Sequence, residues 1–149
     1  MKIKNAVWKA IKWKFMKKQL GYTSEEMKTF RANPKNEHVV SKAPELSEKM
    51  IVAEVIRSHG CNSQHKTGDK LYFDSAGNLL TKHSPERVCV YALKAIAPQI
   101  FAMGELLLAG ADPNQMRFKQ AACFDVGLEC GGWGQIVMDV KTVDRKELD

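Results

Sequence analysis

The sequence predicts an α+β fold: a small, mostly antiparallel sheet of about five strands, with helices on one face and an N-terminal helical pair before it. Three observations carry this. Patterned segments run in the order helix, helix, three strands, two helices, two strands. "MIVAEVIRS" (50–58) is apolar on both faces, as in a central strand. "QIVMDVKTV" (135–143) alternates cleanly, with Ile136, Met138 and Val140 inward.

Residues 2–20 read as a helix that stops at Gly21. At 100° per residue, Ile3, Val7 and Ile11 fall on one line, widened by Trp8 and Phe15. Trp13, Met16 and Leu20 fall roughly opposite, so the apolar face changes sides midway. A membrane-surface helix keeps one face. This pattern points to a helix gripped by two surfaces, through docking or oligomer contact. Thr23 and Glu26 have capping-box spacing and open a helix that runs to about Arg31, before Pro34. Residues 34–48 read as a linker with at most a short turn, which places the boundary between an N-terminal extension (1–48) and an α+β domain (49–149).

"KLYFDSAGNLLTK" (70–82) reads as a hairpin turning at Gly77. Ser84 is placed to cap the next helix, with Pro85 in its first position. That helix would bury Val88, Cys89, Ala92, Leu93, Ala95 and Ile96. Pro98 would then kink it or start a second helix ending at Gly110. "QIFAMGELLLAG" is apolar nearly all round, so the sheet should cover one side and a neighbouring subunit or the N-terminal helices another. "RFKQAACFD" (117–125) reads as a strand, with Phe118, Ala122 and Phe124 on one face and Arg117, Lys119, Cys123 and Asp125 on the other.

With 149 residues, 44% apolar and 27% charged, the chain can build a real core. Its net charge of +6 is uneven. Residues 1–22 hold seven lysines and no acid; the rest holds 16 basic and 17 acidic groups. The basicity is an arm rather than a domain-wide footprint, so nucleic acid is not an expected partner. The longest apolar run in the arm is Ala6-Val7-Trp8, too short for a secretory signal. The apolar stretch 95–111 is broken by Pro98, Gln99 and Glu105, so no membrane span is expected. The expected location is the cytoplasm. Its four cysteines (61, 89, 123, 130) then read as thiols or ligands rather than disulfides.

"SHGCNSQHKTGD" (58–69) gathers His59, Cys61 and His65. Thiolate and imidazole are zinc ligands and also serve iron. One reading therefore makes Cys61, His65 and Cys130 a metal site holding zinc or iron. A second makes Cys61 a nucleophile activated by a nearby imidazole. The plainest reading is a polar loop between strands. "ECGGWGQ" (129–135) places three glycines around Trp133. Such glycines suit a sharp turn or a close backbone approach to a ligand, with Trp133 either walling a pocket or plugging a core edge. It lacks phosphate-loop spacing. If strand order brings the two stretches together, Cys61, His65, Cys130, Asp125 and Trp133 line one pocket.

"GCNSQHKTGDKLYFDSAGNL", "SPERVCVYAL" and "CFDVGLECGGWGQIV" together resemble a family of small uncharacterised proteins of bacteria and archaea, many of them anaerobes. The matching positions are Cys61, Gly68, Asp69, Pro85, Cys89 and Cys123. The resemblance covers residues 50–143, implies a fold without a mechanism, and leaves residues 1–48 as an extension.

The leading expectation is a cytoplasmic protein that forms a homo-oligomer or serves as a small subunit of a larger assembly in anaerobic metabolism. It would bind a small molecule or metal at a Cys/His pocket. If it is an enzyme, Cys61 is the thiolate, His65 its base or ligand, and Asp125 the residue that orients a partner. Cys130 is a second ligand or resolving thiol, Arg117 holds an anionic substrate, and Trp133 lines the site. The alternative is a non-enzymatic module that docks a protein partner through the basic, Trp-containing arm.

Overall fold

The computed structural model of the protein describes residues 5–148, with side chains from residue 6. Lys2, Ile3 and Lys4 lie outside the described residues. The chain forms two compact units, Met1–Glu48 and Lys49–Asp149.

The first unit holds three helices, α1 (Asn5–Leu20), α2 (Ser24–Ala32) and α3 (Pro34–Leu46), where a helical pair was expected. Gly21, at φ 70°, ends α1 in the left-handed conformation that glycine tolerates. Thr23 and Glu26 complete their capping box at the start of α2. Asn33 ends α2 and starts α3, its side chain accepting from the Lys35 N–H at 3.0 Å.

The linker expected at 34–48 is thus a helix. Pro34 opens it from the first position, where its missing N–H costs nothing. Pro44 lies inside α3 and withholds the N–H that would bond to the carbonyl four residues back. That carbonyl belongs to Val40, and the Trp8 indole N–H donates to it at 2.6 Å. The proline that looked like a linker signal is what opens the docking point for α1. Lys12, 7% exposed, is paired with Glu37 and donates to Ser41 Oγ at 2.8 Å. On its other side α1 meets α2, where Trp13 stands edge-on to Phe30 at 6.3 Å. The two-sided pattern of α1 is therefore used inside its own unit.

In the second unit, β1 (Lys49–His59) runs antiparallel between β2 (Lys70–Asp74) and β4 (Gln135–Asp144), and β3 (Gln120–Ala122) edges β4. The described sheet has four strands, ordered β2-β1-β4-β3. Helix α4 (Val90–Ala109) shares its core. Ile51, Ala53 and Val55 of β1 meet Ile136, Met138 and Val140 of β4, and Ala92, Ile96, Ile100 and Met103 of α4. At about 1.5–3 kcal/mol per fully buried aliphatic side chain, this cluster is the dominant favourable term in the unit.

Four expectations are corrected here. The fifth strand is absent among the described residues. The Asp74 carboxylate accepts from the N–H groups of Ala76 and Asn78 and from Asn78 Nδ2, which tightens the turn. The returning arm makes one bridge, Leu79 to Phe73. Ser84 does not cap a helix; its Oγ accepts from Tyr72 N–H and donates to Leu80 O, tying residues 80–84 to β2. The helix starts at Val90 and passes through Pro98 as one element. β3 is short, and its faces are reversed in use: Ala121 and Cys123 pack on the core, whereas Phe118 and Phe124 are exposed.

Among the described residues, α4 is the one helix long and apolar enough to cross a membrane by length and composition. Its buried stripe belongs to the sheet's core, while Tyr91 and Phe101 are exposed.

Trp8→Phe keeps the ring but leaves Val40 O unpaired, and should lower unfolding stability by about 1–2 kcal/mol in urea titrations. In a Pro44→Ala background the loss should shrink, because an alanine N–H can take the carbonyl. Equal losses in both backgrounds would contradict this role for Trp8.

Candidate functional site

The two stretches singled out from sequence adjoin through their backbones. His59 pairs with Gln135 at the end of the β1–β4 ladder. Just beyond, Gly60 (φ 63°) and Gly134 lie against each other. A Cβ on Gly60 would sit 2.7 Å from Trp133 O, and one on Gly134 would strike Gly60 and the His59 carbonyl. Gly132 has the same constraint against Asp125 Oδ1 and, at 2.9 Å, the Gly127 nitrogen. The close approach that these glycines permit is to the chain itself.

Asp125 organises that loop. Its Oδ1 accepts from the Gly127 N–H at 2.9 Å and the Trp133 N–H at 3.0 Å. Its backbone carbonyl accepts from Gln135 Nε2 at 2.9 Å. The amides of Gly127 and Gly134 hold its carboxyl below the ordinary carboxylate value, against a smaller opposing effect of burial; the Trp133 amide adds to the lowering. Trp133 is 74% exposed, so it neither plugs a core edge nor is walled in. Cys130 is exposed, on the 3-10 turn Leu128–Cys130.

His65 has a different position. It is 3% exposed, although it lies in a polar loop. Gln64 before it has φ 62°, the one positive φ at a non-glycine among the described residues. That geometry costs about 1 kcal/mol or more. It follows a turn in which Gln64 N–H donates to Cys61 O at 2.9 Å, and it turns the chain so that His65 points inward. Ser58 Oγ holds the His65 carbonyl at 2.6 Å. The imidazole Nε2 accepts from the Cys89 N–H at 3.3 Å, at the very start of α4. Its Nδ1 faces Asp69 Oδ2 at 3.8 Å. An Nε2 that accepts carries no proton, so the neutral ring carries its proton on Nδ1. His65 is thus the residue that joins the loop leaving β1 to the N-terminus of α4.

Cys89 is the N-cap residue of that 20-residue helix. Burial pushes its thiol up. The Ala92 amide, the Ser63 hydroxyl and the Tyr91 amide together outweigh that push, and the net result lies below the ordinary thiol value. Unpaired N–H groups and the positive end of the helix favour a thiolate there. Sequence reasoning placed Cys89 in a helix interior and missed this. The sequence carries no cap signal at Cys89: Ser84 and Pro85 imitate a helix start, yet the chain stays irregular to Cys89.

The remaining candidates are dispersed. Cys61 is half-buried against the core near the same loop. Cys123 is half-buried too, its Sγ accepting from the Ile136 N–H at 3.4 Å. Arg117 precedes β3, whereas Asp125 follows it, and its guanidinium lies 4.6 Å from the Phe118 ring centre. In the first turn of α4, Tyr91 meets Phe124 at 6.0 Å, with Lys94 over the Phe124 ring, and both rings are exposed.

A zinc or iron site from Cys61, His65 and Cys130 does not fit this arrangement. Among the described residues no three His, Cys, Asp or Glu side chains are grouped to hold a metal ion. His65 also has its Nε2 committed to the Cys89 N–H. Comparison of the chain with protein-family models, curated proteins and solved structures gave no match.

His65→Ala removes a buried ring and the acceptor for Cys89, and should cost about 2–3 kcal/mol of unfolding free energy. His65→Gln, which can present an oxygen to the same N–H, should recover part of it. Equal losses in both would count against the capping role. Asp125 has a lowered folded-state value, so its contribution is present above the unfolded carboxylate pKa of about 3.9 and is lost as pH falls through the folded value. In thermal melts, Asp125→Asn should lie below wild type at neutral pH and converge with it in acid. A gap that stays constant with pH would contradict the assignment.

Proposed function

We propose that the protein binds a small electrophilic molecule at the N-terminus of α4, with Cys89 as the reacting thiolate. The observation that carries this reading is the position of Cys89 at the N-cap of α4, beside Ser63 and anchored by His65. In this reading the nucleophile assigned from sequence moves from Cys61 to Cys89. His65 becomes a positioning residue whose Nε2 is occupied, and so is not the base. Asp125 holds the neighbouring glycine loop instead of orienting a catalytic group. The exposed ring pair of Tyr91 and Phe124, with Lys94, suits a ligand that is apolar and carries a negative charge. Arg117, on the other side of β3, has no part in it.

The chain's resemblance to the small cysteine-containing proteins of bacteria and archaea belongs to this reading, as do a cytoplasmic location and self-association. Exposed Tyr91, Phe101 and Phe118 support an oligomer or a place in a larger assembly, because large aromatic side chains at a surface are typical of interfaces. A second reading, a module that docks through α1, is favoured by the exposed lysines and apolar residues of that helix.

Alkylation by iodoacetamide at neutral pH, resolved by peptide mapping, tests the leading reading. Cys89 should be modified several-fold faster than Cys130, although Cys130 is the more exposed. Ser63→Ala should slow Cys89 and leave Cys130 unchanged. Preferential labelling of Cys130 or Cys61 would remove Cys89 as the thiolate.

A further inference from the structure

Helix α1 uses two sides within its own unit, through Trp8 and Lys12 toward α3 and through Trp13 toward α2. A third side is left open. Val7, Ile11 and Phe15 recur every fourth residue and are 52%, 39% and 47% exposed. Lys14 and Lys18 share that side and are exposed. At 100° per residue, Lys18 falls between Val7 and Ile11, and Lys14 flanks Val7. An apolar stripe threaded with lysines results, on a helix that has no acidic residue.

We propose that this face of α1 docks on an anionic phospholipid surface, the three apolar side chains entering the interface and the lysines meeting headgroup phosphates. Charge complementarity carries the choice of occupant. Residues 1–22 hold seven lysines and no acid, while the remainder of the chain has one more acid than base. The protein's positive excess therefore lies in residues 1–22, and five of those seven lysines are on this helix. Lysine stems can lie along apolar surface with their ammonium groups in the headgroup layer. The stripe itself offers no hydroxyl or amide with which to read a particular protein surface. A lipid interface asks only for apolar insertion and positive charge. The change of face along α1, which argues against a membrane role when the helix is taken in isolation, is accounted for by α2 and α3. Of the exposed large apolar residues of α1, Val7, Ile11 and Phe15 keep to one side, while Leu20, in the last turn, falls opposite.

The test is co-sedimentation of the full chain with phosphatidylcholine vesicles, with and without phosphatidylserine. Wild type should partition at least about tenfold more strongly to the anionic vesicles, and added salt should weaken that binding. Val7→Ser/Ile11→Ser and Lys14→Gln/Lys18→Gln change exposed positions only, and circular dichroism verifies that each stays folded. Each should lose about tenfold or more in partitioning. Equal binding to both vesicle types, or no binding, overturns the proposal and leaves a protein partner for this face. Undiminished binding by the serine variant also overturns it, since charge would then act without the stripe.

Discussion

The hydrogen bond from the Cys89 N–H to His65 Nε2 is the interaction on which the end of the α+β unit depends. A helix begins with N–H groups that have no partner of their own. Here one of them is answered from a loop 24 residues earlier in the chain. That single bond sets where α4 starts, which makes Cys89 the cap. It also fixes the depth of His65 and so the path of residues 60–69 as they return to β1. The return is secured from below by Val55, whose carbonyl accepts from Gly68 and whose N–H donates to Asp69 O, both at 2.8 Å.

A second constraint is steric. Where β1 and β4 end, their backbones come too close for any side chain, so Gly60 and Gly134 face each other. Asp125 gathers the amides of the following loop. Two loops that would otherwise be independent are thereby held at one end of the sheet, with the N-terminus of α4 beside them. The lowered thiol of Cys89 follows from the backbone amides at the start of α4 and the Ser63 hydroxyl, and needs no cationic side chain.

The sequence was informative where burial follows a simple period. β1 and β4 were readable because Ile51, Ala53 and Val55, and Ile136, Met138 and Val140, alternate onto one core. The capping box at Thr23 is a local signal and is seen as expected. Prolines misled, because their effect depends on tertiary partners. Pro34 and Pro44 read as a linker, yet one opens α3 and the other frees a carbonyl for Trp8, 32 residues before it. Ser84 and Pro85 imitate a helix start, but Ser84 is held by β2. For the site, "HGCNSQH" drew attention to the right loop for the wrong reason. His65 faces inward because of the conformation at Gln64, which no spacing rule reveals. Cys89 could be recognised as a cap only once the true start of α4 was known.

The central claim is that His65 is a neutral, buried acceptor that positions Cys89, and neither a metal ligand nor a free base. Two-bond nitrogen–proton correlation of the histidine rings, assigned with a His65→Gln variant, tests it most directly. The account predicts a neutral His65 with its proton on Nδ1 and a bare Nε2, together with slow hydrogen exchange of the Cys89 amide. A proton on Nε2, or a rapidly exchanging Cys89 amide, would contradict it.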